Sequence, residues 1–411
     1  MAIKNDGVFT YHILQDRERK NLAILELIRK RSPISKAEIS RTLGFNIVTI
    51  TNYLDYYINK RMVLEVGLDV STGGRRPELL ELNARSGYVV GVDMGPESIT
   101  AAVADLKIKV VSQMKVPRPS GSMENLIPEV IKTVADTIAK SRIDMAGLKN
   151  IGIGMSGIVD YYSGTIRDTD PLRGRTRVGF LRFIKAIEEK FNIPVYIGND
   201  ASCAAFGEKA LNPGADVDNM LYMYSDVGSG LVVHGDVYVG SSGCAGETQL
   251  AFENSPKDEK LHGREFTYMR PMGTGIDLGA VAAARKAFEK GLASDMLALA
   301  GGDPAAVTKE TVIEAARKGD KVATEIVKEA GRALGVKAAY LINFFNPSVV
   351  VIGGGLEKAG DIFMDEIKGV IKRFAFEEPA AVVKIVPSML GDSSVVFGAA
   401  ALAAREVFIQ A

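Results

Sequence analysis

At 411 residues the chain is too long for one ordinary hydrophobic core and has room for about two or three domains. Its 47% hydrophobic and 24% charged residues, with 42 glycines for tight turns, exclude a largely disordered polymer. No apolar run reaches the roughly 20 residues that cross a bilayer, and no apolar stretch precedes a small-residue cleavage site near the amino terminus, so a cytoplasmic protein without membrane contact is expected.

Cys203 and Cys244 are too few for a multi-disulfide scaffold or a four-thiolate zinc site, and are expected to serve as small buried apolar groups. The net charge is zero, but residues 1–85 carry fourteen Lys or Arg against ten Asp or Glu, which leaves +4 there and −4 on the remainder. A small basic unit on a near-neutral body is compatible with nucleic-acid binding.

In chain order, DRERKNLAILELIRKR places Leu22, Ile24, Leu25, Leu27 and Ile28 on an approximate helical stripe. Ser35 followed by Glu38 predicts a capped second helix, Gly44 a turn, and Asn46 the cap of a third helix. In that third helix Ile47, Ile50, Leu54 and Tyr57 recur at core spacing and leave Thr49, Thr51 and Asn52 on the opposite surface. Two short strands follow, MVLEVGLDV and PELLELN, around STGGRRP, where Gly73 and Gly74 reverse the chain and Arg75 and Arg76 project from the tip.

Helix, helix, turn, helix and hairpin make a winged helix-turn-helix over residues 1–85. The best candidates to touch DNA are Asn46, Ile47, Thr49, Thr51, Asn52 and the wing residues Gly73, Gly74, Arg75 and Arg76. Asn52 can pair with adenine, and the arginines can reach phosphate or a minor groove. Ile47 is also readable as core and Thr49 as a phosphate contact. The same segments would also suit a small all-helical packing module with a solvated basic turn. A reader of this kind works in two copies, so a homo-oligomer, most simply a dimer, on double-stranded operator DNA is expected.

From Gly87 onward strand-turn-strand openings alternate with helices, which indicates an α/β fold. The first half runs through SGYVVGVDMGPESITAAVADL and NIGIGMSGIVD. The second runs through IPVYIGNDASCAAFGEKAL, the hairpin NMLYMYSDVGSGLVVHGDVYVG and SVVVIGGGL, and closes on a hydrophobic helix. Two similar halves facing a cleft are expected, as residues 86–198 and 199–411, with the terminal helix returning to the first lobe.

With TGGRRP, NDAS, GSGLVVHGDVYVG, AGE and VVIGGGL in order over nearly its full length, the chain resembles the ROK family of repressors, open reading frames and kinases. The resemblance implies a two-lobed, actin-like ATPase body of the sugar-kinase type behind the winged helix-turn-helix. It also implies that Asp200 matches the catalytic base, which matters only if kinase activity survives, and that Asn199, Asp200 and Glu247 match sugar-holding positions. Asp200 is also readable as a helix cap.

Active members carry Asp-x-Gly-Gly-Thr in the first phosphate loop, where this chain has Asp93, Met94, Gly95, Pro96 and Glu97. Pro96 removes a donor and Glu97 adds negative charge where phosphate approaches. Tyr224, Ser225 and Asp226 likewise depart from the second loop, although magnesium could bridge such groups. Leu250 replaces the histidine of the sugar and zinc site, the zinc cysteines are absent, and His262 alone cannot build a four-ligand site, so zinc is not expected. Gly353, Gly354 and Gly355 retain a nucleotide-type turn, which leaves residual ATP and magnesium binding open while no cofactor is required.

The sequence therefore points to a carbohydrate-gene repressor controlled by a sugar or sugar derivative, without efficient kinase activity. A sugar kinase with a regulatory head and a DNA-binding scaffold with a degenerate ligand cleft are the alternatives.

Overall fold

The computed structural model describes residues 7–11, 14–68, 77–119, 123–167, 177–225, 228–248 and 277–411. Contacts divide it into two units, Met1–Cys203 with Val395–Ala411, and Ala204–Ser394.

The amino-terminal part of the first unit is set up by local capping. Helix α1 (Asp16–Arg31) buries Ile24, Leu25 and Ile28, but it also buries Asn21 while Leu22 and Leu27 of the expected stripe are only half-buried. Strand β1 (Ile34–Ser35) leads into α2 (Lys36–Leu43). There the Ser35 hydroxyl accepts from the Glu38 amide at 3.3 Å and the Glu38 carboxylate accepts from the Ser35 amide at 2.9 Å. Gly44 ends α2 in a left-handed conformation at φ 69°, and α3 (Ile47–Asn59) begins at once behind its cap Asn46. Strands β2 (Val63–Leu68) and β3 (Glu78–Leu82) form the hairpin, and β1 pairs with β3. The expected tip, Gly73 to Arg76, lies outside the described residues.

The body of this unit is a five-stranded sheet. Strands β4 (Tyr88–Met94), β5 (Ser98–Asp105) and β6 (Val110–Pro117) run antiparallel to their neighbours, while β7 (Leu148–Met155) and β11 (Val195–Asn199) extend it parallel to β4, in the order β11-β7-β4-β5-β6. A small sheet of β8 (Ile158–Asp160), β9 (Thr165–Arg167) and β10 (Arg177–Gly179) is inserted between β7 and β11 in sequence.

Alternation along the strands assigns the two faces. Val90, Val92, Ile151 and Ile153 pack with α4 (Met123–Ser141) and α5 (Leu181–Phe191). The intervening Gly91, Gly152 and Gly154 meet α13 (Ser394–Ile409) on the other face. A Cβ on Gly91 would lie 2.1 Å from the Val396 carbonyl oxygen, so the helix backbone sits directly on the strand.

The second unit repeats the topology. Strands β12 (Met220–Tyr224), β13 (Gly228–Val233), β14 (Asp236–Val237), β15 (Val349–Gly353) and β16 (Lys384–Pro387) stand in the order β14-β13-β12-β15-β16, with the same antiparallel meander and two parallel additions. Its core joins Leu221, Met223, Val350 and Ile352 to the long helix α10 (Lys321–Phe345) and to α11 (Asp361–Phe374), and α7 (Ala280–Glu289), α8 (Asp295–Leu299) and α12 (Glu377–Val382) are shorter helices of this unit. The break at residues 318–321 separates α9 (Lys309–Arg317) from α10, with Asp320 capping α10 at the Ala323 amide, 2.7 Å. Helix α6 (Asp200–Leu211) starts in the first unit and continues into the second. Cys203 is buried as expected, whereas Cys244 is half-buried. Among the described residues no helix is long and apolar enough to cross a membrane.

Candidate functional site

The surface that meets DNA in a helix-turn-helix is the amino-terminal end and outer face of the second helix of the motif, here α3. Its inner face is fixed by Ile50, Leu54 and Tyr57, all fully buried. Asn46 and Asn52 are exposed, and Thr49 and Thr51 are half-buried. The Asn46 side-chain oxygen is committed to the Val48 amide at 2.8 Å and the Thr51 hydroxyl to the Ile47 carbonyl at 2.9 Å, which leaves Asn52 and Thr49 as the more available polar readers. Ile47 does not continue the core stripe: it is 45% exposed, and the neighbouring Val48 is 63% exposed. Val48 was not among the expected contacts, although its place beside the cap and outside the Ile50–Leu54–Tyr57 stripe marks it as outward-facing. Two apolar side chains held out at the start of this helix suit thymine methyl groups.

The expected sugar residues begin where β11 runs into α6. Asn199 is the true cap, its side-chain oxygen accepting from the Ser202 amide at 3.1 Å while its amide nitrogen donates to the Gly157 carbonyl at 3.1 Å. Asp200 is buried and accepts from the Ala201 amide at 2.7 Å. Burial pushes its carboxyl up to about 7 against the opposing hydrogen bonds of Ala201, Ser156 and Asn199. Asp93, at the end of β4, is raised to about 8 by burial and then by the charge of Asp200, with Lys115 opposing. These two carboxyl groups repel each other when both are ionised. A carboxyl that titrates near neutrality can take a proton from a hydroxyl, and in its neutral form it can donate a hydrogen bond to one.

The segment Gly95–Glu97, expected at the position of the family's first phosphate loop, is tied off by a residue that sequence reasoning passed over. The Arg118 guanidinium donates to the Gly95 carbonyl at 2.9 Å and the Arg118 amide to the Glu97 carbonyl at 2.9 Å, while the Glu97 side chain stays exposed.

In the second unit Glu247 is half-buried and follows Gly246, whose carbonyl accepts from the Ser229 amide of β13 at 2.9 Å. A Cβ on Gly246 would lie 1.8 Å from the Ser229 carbonyl oxygen, so glycine is required for this approach. The turn Gly353–Gly355 packs against the chain's own side chains: added Cβ atoms would meet the Tyr222 hydroxyl at 2.1 Å, the Ser225 hydroxyl at 1.9 Å and the Lys309 ammonium at 2.3 Å. The Lys309 ammonium donates to the Gly354 carbonyl at 2.8 Å, and the Glu357 carboxylate accepts from the Gly355 amide at 2.6 Å. Asp226, Leu250 and His262 lie outside the described residues. Among the described residues no cluster of His, Cys, Asp or Glu could hold a metal ion.

The ROK family profile matches residues 89–254 and 280–406, most of the chain. The chain belongs to the ROK family. Among curated relatives, the xylose repressor of Caldicellulosiruptor bescii is 28% identical over 394 residues, covering 94% of this chain and 95% of that one. A crystal structure of a ROK family transcriptional regulator, a homolog of the E. coli MLC protein, superposes with a TM-score of 0.74 at 21% identity, covering 96% of this chain and 98% of its own. A ROK family glucokinase from Streptomyces griseus, in complex with glucose and AMPPNP, gives a TM-score of 0.64 at 26% identity and covers 99% of its own chain but 77% of this one. The body is thus shared with a sugar kinase, and the regulators match nearly the whole chain.

Proposed function

We propose that this chain is a sequence-specific DNA-binding transcriptional regulator, a repressor of carbohydrate genes whose signal is a sugar or sugar derivative. The observation that carries this is the full-length likeness to a sugar repressor, beside a body shared with a kinase that covers only 77% of the chain. The capped, outward-facing α3 gives that difference a task.

Asn52, Thr49, Ile47 and Val48 are the residues we assign to base edges, with Asn46, Thr51 and the wing residues 73–76 supporting the phosphate contacts. Asn199, Asp200 and Glu247 are assigned to sugar hydroxyls. Two copies of the chain bind one operator, and the sugar changes DNA affinity only through its preference for one of two arrangements of the protein. No cofactor is required. The glycine turn at 353–355 is accounted for by close packing on Tyr222, Ser225 and Lys309, and the first phosphate loop by Arg118, so neither needs a nucleotide to explain it.

The experiment is selection of genomic fragments by the purified protein at fixed salt, with and without a panel of sugars and sugar phosphates. Enrichment of a short palindrome that one sugar weakens or strengthens is expected. No enriched sequence under any condition would remove the reading.

One observation favours a second reading, a sugar kinase with a regulatory head: Asp200 is retained with a carboxyl raised to about 7, suited to a general base. It requires sugar-dependent ADP formation that Asp200→Asn abolishes.

A further inference from the structure

The amino-terminal segment Gly7–Tyr11 is neither part of the winged helix-turn-helix core nor part of the expected sugar site, yet it is built into the interior of the first unit. Val8 bridges Ile197 of β11, with the Ile197 amide donating to the Gly7 carbonyl at 2.9 Å. This pairing lies two residues before Asn199. Phe9 stacks on Tyr196 with ring centroids 5.9 Å apart. On its other side the segment is held by α13: the Thr10 amide and hydroxyl donate to the two carboxylate oxygens of Glu406 at 2.6 and 3.0 Å, and the Arg405 guanidinium donates to the Thr10 carbonyl. Thr10, Arg405 and Glu406 are all buried.

The same carboxyl-terminal end of α13 has a second attachment about one turn further on. The last turn of a helix leaves carbonyl oxygens without intrahelical donors. Here the Asn21 side chain of α1 supplies one, its amide nitrogen lying 3.3 Å from the oxygen of Ile409, the last helical residue, and 2.8 Å from the oxygen of Ala411, two residues past the helix. The remaining end of the same side chain accepts from the Tyr57 hydroxyl of α3 at 2.7 Å. Asn21 is 2% exposed and Tyr57 fully buried. One asparagine thus divides its hydrogen bonds between the helix that packs on the sheet of the body and the helix that faces DNA. Releasing any of these contacts would strand a buried polar group, which costs more than the hydrogen bond contributes.

We propose that Asn21 is a positioning residue: with α13 and the Gly7–Tyr11 segment it links the Asn199–Asp200 end of β11 to the orientation of α3. The proposal rests on reading α3 as the DNA-contacting helix. A displacement at Gly198 or Asn199 moves Phe9 and Thr10, Thr10 carries Glu406 and α13, and α13 carries Asn21 and Tyr57. The first junction is the Phe9 ring packed on Tyr196 and the later ones are hydrogen bonds, so the chain of contacts transmits a shift instead of absorbing it.

The test is amide hydrogen exchange on the full chain. Gly198→Ala is the perturbation, because its Cβ would lie 3.0 Å from Phe9 Cδ2 and 3.1 Å from the Tyr11 hydroxyl oxygen and so presses on the Gly7–Tyr11 segment without touching the winged helix-turn-helix. Exchange across residues 47–59 is expected to quicken by about threefold or more in this variant. In a Tyr57→Phe background, where Asn21 no longer holds α3, Gly198→Ala is expected to add nothing further there.

An unchanged α3 in Gly198→Ala, with exchange altered at Ile197, overturns the proposal. So does an equal acceleration with and without the Tyr57 hydroxyl, since a merely structural Tyr57 would give additive effects. If Gly198→Ala unfolds the first unit, seen as lost protection across β4 and β7, Glu406→Gln weakens the Thr10 junction and is read by the same two outcomes. Neither DNA nor sugar is present, so failure of this link is separate from failure of the regulator reading, which the genomic selection reports.

Discussion

Asp200→Asn gives the most quantitative check on the buried carboxyl pair. In the folded chain the Asp200 carboxyl is raised to about 7 from an ordinary 3.8, chiefly by burial. A raised acid keeps its proton in the folded state over a range where the unfolded chain has released it. Folding stability therefore falls as pH rises from about 4 to about 7, and the full cost is present above pH 7. A shift of roughly 3 units corresponds to a ceiling of about 4 kcal/mol at about 1.4 kcal/mol per unit.

Asparagine removes that cost, but its NH2 meets one of the donors now supplied by Ala201, Ser156 or Asn199, a loss on the order of 1–2 kcal/mol. The net expectation is a gain on the order of 2 kcal/mol at pH 8 and about zero near pH 5, where the roughly 1.6 kcal/mol already lost by wild type is about offset by the donor that asparagine leaves unmatched. Thermal unfolding followed by circular dichroism would show this as a Tm higher by about 4–8 °C at pH 8 and no difference near pH 5. An offset that is constant between pH 5 and 8, or a variant less stable than wild type at pH 8, would refute the assignment of burial as the dominant cause.

Gly354→Ala places a Cβ 1.9 Å from the Ser225 hydroxyl at a φ of +102°, so the second unit should lose on the order of 3 kcal/mol or more in denaturant unfolding with no nucleotide added. A neutral result would indicate that the glycines are kept for something other than packing. A coupled ADP assay over a sugar panel should give turnover far below the roughly 1–100 per second typical of kinases; turnover in that range, abolished in Asp200→Asn, would establish the kinase reading. DNA affinity should fall steeply between about 50 and 200 mM salt, with a log–log slope set by the number of phosphates contacted, and a flat profile would exclude a basic wing at the phosphates.

The local parts of the account were legible in the sequence because their causes are local. Ser35 with Glu38, Gly44 and Asn46 specify the helix-turn-helix through bonds that reach two to four residues, and all are in place. The strand-turn-strand openings likewise announced the meanders, since alternation needs only the strand itself. What the sequence concealed depends on distant partners. Asn21 reads as a surface residue within α1 and is buried because oxygens at 409 and 411 meet it. Ile47 sits at core spacing, but periodicity gives a face of a helix and says nothing of whether the core reaches its first turn. The Gly353–Gly355 motif was visible, whereas its tight fit against Tyr222, Ser225 and Lys309 is a property of chain segments far apart in sequence. Asp200 was recognisable as a carboxyl at a strand-helix junction, and its perturbation required knowing how deeply that junction is buried.

The central claim, that α3 of this ROK protein reads a DNA sequence, is tested most directly by titrating an operator fragment and a scrambled fragment of equal length with wild type, Asn52→Ala and Val48→Ala at one fixed salt concentration. Each substitution is predicted to weaken operator binding by about 1–3 kcal/mol per site contacted and to leave scrambled-fragment binding unchanged. Equal binding of both fragments by wild type, or equal losses on both fragments in the variants, would contradict it.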